Sequence, residues 1–176
     1  TITTAFNPTI LLQLGKDDKL SFKPFLSDSV ETKQRETLTT TLTTGANESK
    51  TVEREKKDQF LESYTLEWQH TFTNNSNLKL LGSYSRNNED KDKLSRLFSG
   101  AALAFNKNTF ETEKKIDEEY VGGADYKLPF SGWLDTDHII ITGAKLRHKE
   151  RQVDKLVYEV SNTGVTKVTS TADDSY

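Results

Sequence analysis

The chain reads as an all-β protein, an antiparallel up-and-down meander, and three observations predict it. Phe60–Arg86 consists of two runs of period-two alternation around an Asn- and Ser-rich turn, the pattern of an antiparallel hairpin. The same form returns at Pro8–Leu26 and at Tyr120–His148. No apolar run approaches the ~20 residues of a membrane-spanning helix, and no apolar stripe at helical spacing runs through the charge-dense segments.

In the central hairpin, placing Phe72 opposite Leu78 pairs His70 with Leu80, Trp68 with Gly82, Leu66 with Tyr84 and Tyr64 with Arg86. One face is then aromatic and apolar, and the other is polar apart from Leu81. A large ring over a glycine, as in Trp68–Gly82, is a recurrent stabilising device in sheets. A one-residue slip would mix the faces.

The first hairpin turns over Gly15–Lys19, which has good turn chemistry. Leu14 opposite Leu20 sets Leu12 against Phe22, Ile10 against Pro24 and Pro8 against Leu26. Pro24 lacks a ladder donor and demands a local gap, bulge or edge. Ser27–Thr44 stays extended on the strength of its threonines, and Gly45-Ala46-Asn47 marks a loop tip. Glu48–Gln59 is expected as a solvated strand or loop rather than a helix.

Asn87–Lys93 is read as a solvated loop, since it lacks the glycine and distal glutamate of a calcium loop. Leu94–Phe110 is more apolar, and two readings fit it: a helical insert folded back over the structure, or a ligand-contacting loop built on Phe98, Phe105 and Phe110. In the third hairpin, Leu128 opposite Ile140 sets Tyr126 against Thr142, Ala124 against Ala144 and Gly122 against Leu146. The pair Gly122-Gly123 suits close packing by a neighbour. A last small hairpin is expected around Ser161–Gly164.

Composition narrows the class. One third of the residues are hydrophobic (33%), 29% are charged and the mean hydropathy is −0.72. These values suit a soluble protein, a partly disordered one, or a β-barrel with large wet loops. Cysteine is absent, which excludes a disulfide framework, thiol catalysis and Cys-based zinc sites. A net charge of −3 argues against nonspecific nucleic-acid binding. No basic segment followed by an apolar stretch precedes Thr1–Asn7, and the chain stops in polar sequence, so it is expected to be an excerpt of a longer protein.

The tight turns fall near 15–19, 73–77 and 131–137, and the long excursions near 43–59, 87–118 and 149–176. Outer-membrane barrels share this asymmetry of short periplasmic turns and long extracellular loops. Their backbone groups must all be paired within the sheet, so the strands zigzag. The whole chain, 1–176, is then expected to be a partial segment of a large transmembrane β-barrel with about six membrane strands. Tyr64, Trp68, Phe72, Tyr126, Phe130 and Trp133 would belong to its aromatic girdle at the membrane interface.

Three runs carry a family resemblance: Lys19–Leu42, Glu62–Asp90 and Glu118–Arg151. Trp68-x-His70-x-Phe72, a polar turn, and a strand ending Ser83-Tyr84-Ser85-Arg86 are similar in texture to barrel strands of TonB-dependent outer-membrane receptors. The resemblance implies a barrel of about 22 strands plugged by an N-terminal domain. It implies a place in the outer membrane of a Gram-negative bacterium, with outer-membrane lipid around it. It also implies active uptake of a scarce nutrient, such as a ferric siderophore, and contact with the TonB complex through a plug lying outside this chain. No ligand-binding residue carries over, because none of these runs matches a ligand motif.

Catalysis finds little support. His70, His138 and His148 are scattered, and no nucleophile elbow, phosphate loop or dinucleotide fingerprint appears. Neither an enzyme nor a cofactor or metal site is expected, and no nucleic-acid partner. The same features leave a second reading open: a soluble extracellular β-rich binding or adhesion module. That reading requires Trp68 to lie inside a two-layer core.

Overall fold

The alternation becomes strands in a computed structural model that describes residues 1–40, 47–131, 137–161 and 164–175. In chain order these are β1 (Ile2–Phe6), β2 (Ile10–Leu14), β3 (Asp18–Thr40), β4 (Asn47–Thr71), β5 (Asn77–Ser99), β6 (Ala104–Ser131), β7 (Asp137–Ser161) and β8 (Gly164–Ser175). They form one sheet in the order β1-β3-β4-β5-β6-β7-β8, with β2 joining β3 in line with β1. Every pairing is antiparallel. The meander is open at both edges and does not close on itself.

The strands are long. β4 has 25 residues and β6 has 28, where ordinary strands run to ~10. At a rise of ~3.3 Å per residue, β6 reaches about 90 Å. The stretches 47–59, 87–99, 104–118 and 149–161, expected within long loops, are strand. The excursions therefore continue the hairpins themselves. Opposite charges at diagonal positions on neighbouring strands stabilise such extensions, as Lys57–Glu89 (2.8 Å) and Lys93–Glu53 (2.8 Å) do here.

Leu94–Phe110 is neither a helix nor a separate insert. β5 runs through Ser99, the chain turns over Gly100–Leu103, and β6 begins at Ala104. Gly100 takes φ 78° and Leu103 φ 50°, with Leu103 N donating to Gly100 O at 2.9 Å. Asn87–Lys93 likewise pairs along β6 rather than looping out.

Two of the three expected registers shift by two residues. Leu12 faces Leu20 and Ile10 faces Phe22, while Trp68 faces Leu80, Leu66 faces Gly82 and Tyr64 faces Tyr84. Trp68 therefore does not cover Gly82. The cause is turn length. The first turn is three residues, Gly15–Asp17, between paired Leu14 and Asp18. In the second, Phe72 N donates to Ser76 O at 2.9 Å around Thr73-Asn74-Asn75. Asn75 sits at φ 61°, the left-handed last position of a three-residue hairpin loop. Asn74 Oδ1 accepts from Ser76 N and Oγ at 3.0 and 2.6 Å, an Asx turn that fixes the corner. The third register, Leu128–Ile140 through Gly122–Leu146, is as expected; its turn at 132–136, with Trp133, lies outside the described residues. So does the 162–163 corner of the last hairpin, whose strands pair as Val160–Val165.

Between β1 and β2 the ladder to β3 is broken. Phe6 faces Leu26 and Ile10 faces Phe22, so Asn7-Pro8-Thr9 lies level with Lys23-Pro24-Phe25. Two prolines thus meet across the seam, and neither has an N–H to donate.

Among the described residues no second layer lies over this sheet. Among the described residues no hydrophobic side chain is buried. Leu66, Leu80 and Ile140 are 48%, 41% and 50% exposed.

Candidate functional site

Because opposite residues in a ladder share a face, the registers sort the side chains of β1–β7. The Trp68 face carries two neighbouring rows across β3–β7: Leu20, Trp68, Leu80, Ala124, Ala144, then Phe22, Leu66, Gly82, Gly122, Leu146. Towards the turns it continues with Leu78, Tyr126, Leu128 and Ile140. The opposite, Glu67 face of the same zone carries Lys23, Glu67, Lys79, Asp125, Lys127, Lys145 and Arg147. Glu67 accepts from Lys23 at 3.0 Å and pairs with Lys79 at 3.2 Å, linking three strands. Leu11, Leu81, Val121, Ile139 and Ile141 are among the apolar residues interspersed on that charged face.

The apolar zone has two aromatic borders. On the side away from the turns, Tyr64, Tyr84, Tyr120 and His148 occupy one row. Their rings follow one another at centroid distances of 6.5, 5.0 and 6.4 Å, and Phe22 extends the series to Tyr64 at 6.4 Å. The polar ends of this row reach away from the apolar zone. Tyr64 Oη donates to Glu62 Oε2 at 3.1 Å, and Tyr84 Oη donates to Glu118 Oε1 at 3.2 Å. His148 Nε2 lies 2.8 Å from Glu150. The very next row is charged on β4–β7, with Glu62, Arg86, Glu118 and Glu150, and apolar on β3 and β1, with Leu26 and Phe6.

At the turn side, Phe72 packs edge-on against Tyr126 at 6.4 Å and against His70 at 4.4 Å. Phe130 stacks on His138 at 5.2 Å. His70 Nδ1 is held 2.8 Å from Asp18 Oδ1.

The residues singled out from the sequence therefore separate. Tyr64 stands in the far aromatic row; Phe72, Tyr126 and Phe130 stand near the turns. Trp68 lies between, level with Leu80 and Ala124. Tyr84, Tyr120 and His148, which complete the far row, escaped the sequence reading because its register set Tyr64 opposite Arg86. The expected close approach at Gly122-Gly123 lies elsewhere. A Cβ on Gly122 would meet nothing within 4 Å, and one on Gly123 would make ordinary contacts. On Gly143 it would run into Asp125 Oδ1 and the Ala124 carbonyl oxygen, the latter at 2.9 Å.

Beyond the tyrosine row the Glu67 face becomes a charge lattice. Asp117 accepts from Arg151 at 2.6 Å and pairs with Lys115 at 3.2 Å. Burial pushes its carboxyl up, but the hydrogen bonds from Arg151 and Lys115 outweigh this and hold it below the ordinary aspartate value. Glu111 sits between Lys155 at 2.9 Å and Lys91 at 3.5 Å. There too burial raises the carboxyl, and the two lysines bring it below its ordinary value. Among the described residues no group of three or more His, Asp or Glu side chains is placed to hold a metal ion. No protein-family model and no curated protein matches the chain.

Proposed function

We propose that this chain is a stretch of the wall of an outer-membrane β-barrel of the TonB-dependent receptor type, in the outer membrane of a Gram-negative bacterium. The Trp68 face turns to lipid and the Glu67 face to the wet interior. The parent barrel would take up a scarce nutrient such as a ferric siderophore, with energy delivered by the TonB complex through a plug. The chain itself acts as barrel wall and performs no catalysis.

One observation carries the orientation: a single-layer sheet with an uncovered apolar zone on one face, bordered by aromatic rows, and charges behind it. On β6 the zone extends from Tyr120 to Phe130. Ten residues at ~3.3 Å span about 33 Å along the strand. At a tilt of ~35–45° this gives a height of about 23–27 Å, against the ~25 Å apolar band of outer-membrane barrels. The tyrosines fit an interface, with rings in the apolar layer and hydroxyls in the polar one. In hydrocarbon the free edge of β7 over Asp137–Glu150 needs a partner strand, so the reading requires further strands beside it. The soluble-module reading needs Trp68, Tyr126 and Ile140 under a second layer, and the uncovered sheet weighs against it. The nutrient and the TonB partner rest on the resemblance of the strand runs.

Spin labels test the orientation. Single cysteines at Leu66 and Leu80 in the full-length gene product, reconstituted in lipid, are expected to collide with oxygen; those at Thr65 and Ser83 are expected to collide with a water-soluble nickel chelate. Equal water access on both faces would refute it. Deleting the gene is expected to slow growth on a ferric siderophore as sole iron source, and unchanged growth would remove the iron-uptake reading.

A further inference from the structure

The rings of the tyrosine row are unequally spaced, and the hydrogen-bond phase of the sheet explains it. Between β4 and β5, Phe72 N donates to Ser76 O at one end and Gly100 N donates to Glu48 O at the other, each at 2.9 Å. The even-numbered partners of these two strands are therefore the hydrogen-bonded pairs, Tyr64–Tyr84 among them. A strand residue directs its N–H and C=O to the same side. Tyr84, bonded to β4, has neither to offer β6, so Tyr84–Tyr120 is a non-hydrogen-bonded pair. Such pairs hold their Cα atoms at ~4.5 Å instead of ~5.5 Å and bring their side chains closer. Tyr120 in turn bonds to β7, which returns Tyr120–His148 to the wider spacing. Ring centroids follow this alternation, at 6.5 Å for Tyr64–Tyr84, 5.0 Å for Tyr84–Tyr120 and 6.4 Å for Tyr120–His148.

Two phenols at the closer spacing have a chemistry of their own. Tyr64 and Tyr84 lie with planes 2° apart and well separated, whereas the Tyr84 and Tyr120 planes are tilted by 42°. At 5.0 Å between centroids the ring edges are near contact, and a small rocking motion brings ring carbons to the ~3–3.5 Å of a reactive encounter. Tyr84 also has a proton acceptor in place. Its Oη donates to Glu118 Oε1 at 3.2 Å, and the same oxygen lies 3.4 Å from Arg86 Nε. Loss of an electron makes a phenol strongly acidic, so a carboxylate that already accepts its hydrogen bond takes the proton as the electron leaves. Tyr120 is 46% exposed, open both to an oxidant and to water as its proton acceptor.

We propose that Tyr84 and Tyr120 are a site of oxidative cross-linking, joined as dityrosine by a small one-electron oxidant such as the carbonate radical anion. Each phenol gives up one electron and one proton. Two carbonate radicals take up both electrons and both protons and leave as bicarbonate. The two tyrosyl radicals then form one carbon–carbon bond between ring positions ortho to the hydroxyls. The hydrogens on those two carbons move to the phenolic oxygens, which restores both aromatic rings. The product ties β5 to β6 at the aromatic row and closes a loop from Tyr84 to Tyr120, which constrains the unfolded chain as a disulfide does. The site stands on register and ring geometry alone, so it holds whichever solvent bathes the row.

The test exposes the full-length gene product in detergent to light, ruthenium tris-bipyridine and persulfate. Persulfate takes the two electrons and becomes sulfate, and the protons pass to buffer. Products are read by dityrosine fluorescence and by mass spectrometry of proteolytic peptides. The expected product is protein of monomer mass in which the peptides holding Tyr84 and Tyr120 are joined with the loss of two hydrogens. Tyr84→Phe and Tyr120→Phe are each expected to remove that linked peptide, and Tyr64→Phe to leave it. Glu118→Gln is expected to slow its formation by about tenfold or more, as loss of a positioned proton acceptor does. Glu62→Gln, which alters the acceptor of Tyr64 instead, is expected to leave the rate in place. Dityrosine found only between two molecules would overturn the site, and so would Tyr64–Tyr84 as the main product. Equal yield of the Tyr84–Tyr120 link from urea-unfolded protein would show that the fold does not place the pair. Equal rates in the two glutamine variants would overturn the role of Glu118.

Discussion

Tyr84 and Tyr120 face one another across β5 and β6, with ring centroids 5.0 Å apart and planes tilted by 42°. They are the closest contact in the row that also holds Tyr64 and His148. Aromatic pairs at such distances couple by ~0.5–1.5 kcal/mol beyond their area burial. A double-mutant cycle with Tyr84→Leu and Tyr120→Leu, read by urea unfolding in lipid vesicles, is expected to return a coupling in that range. Strict additivity would mean that the two rings share a row without supporting one another.

The two faces predict opposite responses to one added charge. Leu80 lies at mid-height on the uncovered apolar face, and Ser83 on the Glu67 face. Leu80→Arg is expected to destabilise the lipid-embedded protein by about 2–4 kcal/mol, the cost of arginine near the bilayer midplane. Ser83→Arg, which adds a cation to a face already carrying Lys79 and Glu67, is expected to cost less than about 1 kcal/mol. Equal costs in vesicle unfolding would contradict the assignment of lipid to the Trp68 face.

Glycine positions give a sharper packing test. At Gly143 an added methyl meets the Ala124 carbonyl at 2.9 Å as well as Asp125 Oδ1. The carboxylate can swing aside, but the backbone oxygen cannot without moving β6. Gly143→Ala is expected to destabilise by about 1–3 kcal/mol, as overpacking does. Gly122→Ala meets open space, and its effect is expected within about 0.5 kcal/mol, the range of ordinary surface substitutions. Comparing denaturant midpoints of the two variants decides it.

Much of this fold was legible in the residues, and the losses have a common cause. Alternation specifies which face a side chain takes, because a one-residue slip inverts it. A two-residue slip leaves every side chain on its own face, so alternation cannot detect it. That is how Trp68 was set against Gly82 instead of Leu80, and why Tyr84 and Tyr120 were not seen to align with Tyr64. The deciding information lay in the turns. Asn75 adopting a left-handed conformation closes a three-residue loop, two residues tighter than the polar composition of 73–77 suggested. The Leu128–Ile140 register needed no such inference, since its partners were matched directly across a longer connection. Asn87–Lys93 reads as a loop, and Glu48–Gln59 stays open between strand and loop, because both faces of these extensions are polar and lack the contrast that marks a half-buried strand. Their partners are charges on neighbouring strands, far apart in sequence.

The charge lattice of the extensions makes their stability depend on pH with a definite sign. Asp117 and Glu111 both titrate below their ordinary values once folded, because the contacts from Arg151 and Lys115, and from Lys155 and Lys91, more than offset burial. A carboxyl depressed in the folded state stabilises in full above its unfolded value and loses that contribution as pH falls through the folded value. Amide protection along Glu111–Asp117 and Arg151–Lys155, corrected for intrinsic exchange, is therefore expected to hold from pH 7 down to about 5 and to fall below about pH 4, where ordinary carboxylates begin to protonate. Asp117→Asn is expected to lower protection at pH 7, with the gap from the parent protein closing at low pH. High salt should narrow the gap at pH 7 as well, since Arg151 is partly exposed and screened by ions. A gap that widens on acidification would show that Asp117 holds β6 against β7 by some means other than its negative charge.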